Sequence, residues 1–243
     1  MDDAGPSARR GGNSIPVDDA TGAYGASGFV DSLDGLGTEE VASDVVLLRR
    51  VWQNEKCAPE ILPYDASLVE RVREQVQLME ENIEAFATEI KDDLMLSLYR
   101  MDVNRTLFLL RSYLRARLSK IERHPIHIID NQELWDRLSE QEQEYTNKYC
   151  EVLAKHFEQT VLIRLPEQYG SMLKQTSLAS EENDMITQPQ LNTFVCCRSR
   201  GAIGSFQLDD KGDESVDLMT NDLYILRYKP IRRLLETDQI ELI

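Results

Sequence analysis

No glycine occurs between residues 38 and 169, although the chain has twelve: eight lie in residues 1–37 and four in 170–243. Over the same stretch the prolines are confined to Pro59, Pro63, Pro125 and Pro166. Glycine and proline are the residues that most weaken a helix interior. A long segment free of one, with the other spaced out as punctuation, is constrained towards a helical bundle.

The apolar spacing divides that segment into four expected helices. The first runs from about Thr38, where Thr38-Glu39-Glu40-Val41 reads as a start signal, to about Asn54. The second follows Asp65, with Leu68, Val72, Val76, Met79, Ile83, Phe86 and Ile90 at steps of three and four. The third spans about Asp92 to Glu122 through Val103, Leu107, Leu110, Leu114, Leu118 and Ile121. The fourth opens on a capping box, Ser139-x-x-Glu142, and continues through Tyr145, Tyr149, Val152, His156 and Val161 to Leu165. At the centre of the third helix, Leu107-Phe108-Leu109-Leu110 is apolar on every side. A helix apolar all round is buried all round, and another subunit supplies that burial more readily than three neighbouring helices.

After Pro166 the pattern changes. Residues 170–190 read as a polar linker, and period-two alternation then takes over. Candidate strands are 193–198, 205–208, 215–218, 223–228 and 239–242, with a turn at Asp209-Asp210-Lys211-Gly212-Asp213 and another at Gly201–Gly204. Residues 1–37 are short of large apolar groups and are expected to remain a disordered, acidic, glycine-rich tail. The expected fold class is mainly α: an N-terminal helical bundle domain over 38–169, a 170–190 linker and a small C-terminal β-rich domain over 191–243, α+β taken together.

Chemistry is hard to find. The chain has no phosphate loop, dinucleotide fingerprint or nucleophile elbow. His124-Pro125-Ile126-His127 lacks a ligand-spaced Cys or acid and reads as a pair of surface loop histidines; His156 reads as a core histidine. No catalytic residue, metal or cofactor is expected. Four cysteines lack framework spacing, and vicinal Cys196-Cys197 would alternate faces in a strand, so reduced thiols are expected. No apolar run is long enough for a membrane span, and no signal-peptide core is visible.

A net charge of −16 opposes nucleic-acid binding unless a local patch overcomes it. Residues 100–123 are the candidate patch, with seven basic side chains against Asp102 and Glu122. Residues 65–90 hold seven acids against Arg71 and Arg73. Mutual neutralisation of these two helices, within the chain or across an interface, is favoured over phosphate contact. A stand-alone nucleic-acid-binding module using the basic face of 100–123 is the alternative reading.

Two stretches are distinctive: Trp52-Gln53-Asn54-Glu55-Lys56-Cys57-Ala58-Pro59-Glu60-Ile61-Leu62 and Ser112-Tyr113-Leu114-Arg115-Ala116-Arg117-Leu118-Ser119-Lys120-Ile121-Glu122. With Met79-Glu80-Glu81-Asn82, Arg227-Tyr228-Lys229-Pro230-Ile231 and the terminal Ile240-Glu241-Leu242-Ile243, they resemble the Sld-five (subunit four) family of the GINS replication complex. The resemblance runs from about Thr38 to the end, with gaps near 124–137, 170–190 and 199–213. It departs from the family pattern at Asn104, where an acid is common, and at Ala116, where Cys is common.

The resemblance implies a non-catalytic subunit of a heterotetramer with three Psf subunits, working in the nucleus. It also implies joining of that tetramer to the MCM ring and the Cdc-forty-five protein in the replicative helicase. DNA contact would then be indirect or weak, with no membrane partner. Residues expected at partner interfaces are Leu107, Phe108, Leu110, Arg111, Arg115, Arg117, Tyr228, Leu242 and Ile243.

Overall fold

The structure is a computed structural model, and it describes residues 43–89, 93–175, 185–208 and 215–243. The Thr38–Val41 start signal, Ile90, the Asp209–Asp213 turn and the 1–37 tail lie outside the described residues.

Three long helices build the bundle: α1 (Asp44–Cys57), α2 (Ala66–Glu89) and α3 (Asp93–Arg123). Between α1 and α2 the chain runs through Pro59 and Pro63, which cannot continue a helix. Asp65 then starts α2, its Oδ1 accepting the Leu68 N–H at 3.0 Å. Leu48 of α1 packs with Leu68, Val72, Val76 and Ile83 of α2 and with Val103, Leu110 and Tyr113 of α3. The apolar stripe read along 65–83 is therefore the core-facing stripe.

Two short helices, α4 (Pro125–Asp130) and α5 (Gln132–Trp135), follow where loop was expected. Pro125 does not break a helix here. It occupies the first turn, where its missing N–H costs nothing, and starts one. Ile128 and Leu134 close a second cluster with Ile61, Ile121 and Leu138. The fourth expected helix is α6 (Glu140–Thr160), and its capping box is formed: Glu142 N–H donates to Ser139 Oγ at 3.3 Å and Ser139 N–H donates to Glu142 Oε2 at 2.9 Å. A single 3-10 turn, Leu162–Arg164, carries on from its end.

All five expected strands form: β1 (Phe194–Ser199), β2 (Gly204–Gln207), β3 (Ser215–Leu218), β4 (Leu223–Arg227) and β5 (Ile240–Leu242). They make an antiparallel sheet in the order β4-β1-β5 and a separate β2–β3 pair. Gly204 opens β2 at φ +76°, a backbone that favours glycine. Between β4 and β5 lies α7 (Tyr228–Glu236), a helix where none is expected, and Tyr228, expected as the end of the 223–228 strand, is its first residue. Its proline sits in the first turn, and Tyr228, Ile231 and Leu235 at steps of three and four face the sheet. Val195, Cys197, Leu226, Ile240 and Leu242 complete that core with Ala58 from the end of α1. The fold is a helical bundle followed by a small sheet region, as the sequence suggests.

Candidate assembly surfaces and the buried charge network

Arg117 is fully buried and reaches two acids from two helices. Its Nε and Nη2 donate to Glu142 of α6 at 2.8 and 3.0 Å, and its Nη1 donates to Glu55 of α1 at 3.1 Å. Backbone carbonyls of Leu62 and Arg137 take two more of its N–H groups. Its guanidinium also lies 5.3 Å and 5.7 Å from the rings of Tyr64 and Tyr113. Burial works against its charge, but Glu142 and Glu55 more than restore it and hold its pKa above the ordinary range. Lys120, one turn on, donates to Glu55 Oε1 at 2.7 Å and Glu60 O at 2.7 Å. Burial lowers its pKa despite Glu55.

Within the chain, the expected neutralisation of the second helix by the third does not occur among the described residues. Basic groups of α3 pair with α1 and α6, because Arg117 and Lys120 lie on the face turned to those helices. Acids of α2 such as Glu74, Glu80 and Glu84 are exposed on its outer face.

A second set of charges fastens the sheet region to the bundle. Glu60, in the α1–α2 connection, accepts the Tyr228 hydroxyl at 2.8 Å, and Arg232 Nε of α7 lies 2.9 Å from the same oxygen. Arg137 donates to Ile61 O at 3.1 Å and to Glu236 of α7 at 2.9 Å. Asn54 Oδ1 accepts the Leu242 N–H of β5 at 2.8 Å. Tyr228 has its pKa pushed up, first by burial and then by Glu60.

Of the nine expected interface residues, Arg117, Tyr228 and Leu242 are wholly enclosed by this chain, and Leu110 belongs to the bundle core. None of these four has surface to offer a partner. Leu107 is half-buried. Phe108, Arg111, Arg115 and Ile243 are exposed, Phe108 to 61%. Three of them, with Met101 and Arg105, share the outward face of α3, opposite the core stripe Val103, Thr106, Leu110, Tyr113, Arg117 and Ile121. Arg105, Arg111 and Arg115 have no ion-pair partner among the described residues.

One surface escapes the sequence reading. After Thr146 no side chain of α6 is buried, yet Val152 and Phe157 ride on it and Val161, Ile163 and Leu165 follow. His156 is exposed there, edge-on to the Phe157 ring, rather than in a core. Tyr149, Val152 and His156, at steps of three and four, do share one side of α6, and Val161 lies past its end; nothing in that spacing tells an internal neighbour from an external one. His124 and His127 are also not free loop residues. His124 precedes α4 with its Nδ1 3.0 Å from Thr187 O, and burial lowers the pKa of half-buried His127.

No convergent cavity or metal-ligating cluster occurs among the described residues; a void of about 10 Å³ beside Lys120 and His127 holds at most a water.

The fold thus defines a class: a helical bundle carrying a small sheet region behind it. Two family models match the chain, the GINS complex protein helical bundle domain over residues 71–161 and the DNA replication complex GINS protein SLD5 C-terminus over 189–243. A DNA replication complex GINS protein SLD5 from Arabidopsis thaliana is 51% identical over 203 residues, covering 83% of this chain and 91% of that protein. The protein of the same name from Rattus norvegicus is 30% identical over 231 residues, 88% of this chain and 99% of its own length. That from Dictyostelium discoideum is 29% identical over 201 residues, 81% and 90% respectively. The chain belongs to the GINS SLD5 family.

Proposed function

We propose that this chain is a non-catalytic scaffold subunit of the DNA replication GINS complex, assembling with three Psf subunits through the outward faces of α3 and the second half of α6. The observation that carries the reading is α6 beyond Thr146: a helix with exposed Val152 and Phe157 and no buried side chain. Isolated helices of such length are marginal in water, so this one gains its stability from a partner's apolar face. Phe108, flanked by Arg105, Arg111 and Arg115 on α3, supplies a second apolar surface with cations able to meet a partner's acids. Through the tetramer the chain joins the MCM ring and the Cdc-forty-five protein in the nucleus. Its working parts are a 38–169 helical domain and a 191–243 β domain joined by 170–190.

The nucleic-acid alternative is weakened by Arg117 and Lys120. Both belong to the basic stretch and both are consumed by Glu55 and Glu142 inside the chain.

Co-expression of the full chain with the three Psf proteins of the same genome, followed by native mass spectrometry, tests the proposal. One copy of each is expected. Phe108→Asp combined with Val152→Asp should leave the chain folded and strip partners from it. A wild-type chain that remains a well-folded monomer beside its co-expressed partners would overturn the reading.

A further inference from the structure

The sheet has two edges, and α1 packs against that of β5. On β5 the outward amide of Leu242 is taken by Asn54 Oδ1 at 2.8 Å. At the other edge, β4 exchanges its inward groups with β1 in the register Cys197↔Tyr224 and Val195↔Leu226, flanked by Tyr228 N–H donating to Thr193 O and Ser199 N–H donating to Asp222 O. Antiparallel pairing sends every second residue's backbone the other way. Leu223 and Ile225 therefore aim N–H and C=O outward, and Arg227 aims its N–H outward, with no partner among the described residues.

Such edges are usually blunted by proline, a bulge or an inward charge. Leu223–Arg227 has none of these. Its outward side chains Leu223 and Ile225 are exposed to 65% and 69%, and they continue an apolar sheet face through Cys196 and Phe194 of β1. At one end stand two cations. Arg227 lies over the Phe194 ring at 4.9 Å and Lys229 is exposed; neither has an ion pair among the described residues. In a chain of net charge −16, these two cations make that end of the apolar edge locally positive.

We propose that the outer edge of β4 takes up an extended, acidic-apolar peptide of a partner protein as a fourth strand of the β4-β1-β5 sheet. The peptide's main chain pairs with Leu223, Ile225 and Arg227, its alternate apolar side chains extend the Phe194–Ile225 face, and its carboxylate meets Arg227 and Lys229. A second copy of this chain is disfavoured, because so short an edge would have to hold two bodies of charge −16 together. The site is separate from the α3 and α6 faces and does not rest on the assembly reading.

Fluorescence anisotropy of the full chain with a labelled Glu-Val-Thr-Val-Thr-Val-Thr peptide tests this. Saturable binding is expected, weakened about tenfold or more by N-methylating the peptide's alternate amides, by replacing its Glu with Lys, and by Ile225→Pro. Proline at 225 deletes an outward donor and spares the β1 ladder; the N-methylated peptide keeps the test independent of how that variant folds. Binding should also slow amide exchange at Ile225 and Arg227. Equal binding of the N-methylated peptide, or no saturable binding of its parent, overturns the proposal. So does self-association of the chain that Ile225→Pro abolishes, which would assign the edge to a second copy.

Discussion

Arg117 and Glu142 meet side by side in the interior, Nε to Oε1 at 2.8 Å and Nη2 to Oε2 at 3.0 Å. The same Glu142 Oε2 accepts the Ser139 N–H that closes the α6 capping box. One carboxylate therefore starts α6 and ties it to α3. Glu55, on the other side of Arg117, extends the tie to α1 and also takes Lys120. A bidentate guanidinium–carboxylate pair is directional, so it fixes the rotation of α3 as well as its position.

Removing Arg117 leaves Glu55 and Glu142 buried without their shared cation. Arg117→Leu should cost about 3–5 kcal/mol, the range for breaking a buried ion pair from one side. Arg115, two residues away and exposed, should change stability by less than about 0.5 kcal/mol on reversal to Glu. Urea unfolding followed by far-ultraviolet circular dichroism separates the two. Equal losses would mean that Arg115 also has an intrachain role.

Asn54 carries a smaller duty. Its side chain is the acceptor for the outward amide of β5, and both groups are buried. Asn54→Ala should cost about 1–3 kcal/mol, the desolvation penalty of the orphaned Leu242 N–H. Hydrogen exchange at Leu242 should accelerate, while amides in the middle of α2 keep their protection.

The helices and strands were legible because apolar periodicity records burial within an element. The α2 stripe from Leu68 to Ile83 and all five strands could be read that way. The core face of α3 was blurred by its polar members: Thr106, Tyr113 and Arg117 belong to it, and a purely apolar stripe settles one position to the side, on Leu107 and Leu114. Arg117 is expected at a partner interface because an isolated cation says nothing of Glu55 and Glu142, which lie 62 and 25 residues away. The second half of α6 failed differently. Tyr149 and Val152 do share a side of it, but periodicity does not say whether the surface that covers them is in the same chain. The helix of residues 228–236 has only nine residues, and its buried positions Tyr228, Ile231 and Leu235 are too few to stand out as a stripe between two strands.

Tyr228 gives the fold a dependence on alkaline pH. Burial and then Glu60 raise its pKa above the ordinary 10.0. The folded chain keeps this proton where the unfolded chain releases it, so the contribution is complete below pH 10 and lost as pH climbs further. Tyr113 and Cys197 are shifted in the same direction, mainly by burial. Tyr228→Phe should flatten, without abolishing, the fall in unfolding free energy between about pH 9 and about pH 11. Urea titrations across that range measure it, and an unchanged slope would remove Tyr228 from the account.

Neighbouring thiols should differ sharply in reactivity. Cys196 is exposed on the outer face of β1, while Cys197 is buried and its pKa is pushed up to about 11 by burial and by Cys196. Thiolate is the nucleophile, so burial withholds both access and charge from Cys197. Iodoacetamide labelling read by peptide mass spectrometry should modify Cys196 first and Cys197 only on unfolding. Half-buried Cys57 and Cys150, each raised by burial, should fall between them.

The last two residues separate a packing role from an assembly role. Leu242 is buried in the cluster of Val195, Cys197, Tyr228 and Ile231, whereas Ile243 is 45% exposed, its N–H donating to Cys196 O at 3.0 Å. Leu242→Ala should cost about 2–5 kcal/mol, the range for a cavity in a core. A small sheet region has little stability to spare, so that loss should loosen it with or without partners. The bundle should keep its helicity, since its own clusters exclude residue 242. Ile243→Ala should shift unfolding by less than about 0.5 kcal/mol. If Ile243 belongs to an interface, the same variant should lower recovery of co-expressed Psf proteins in a salt wash. Full recovery with Ile243→Ala would leave Ile243 outside the assembly surface, and an unfolding midpoint unchanged by Leu242→Ala would contradict the packing described for β5.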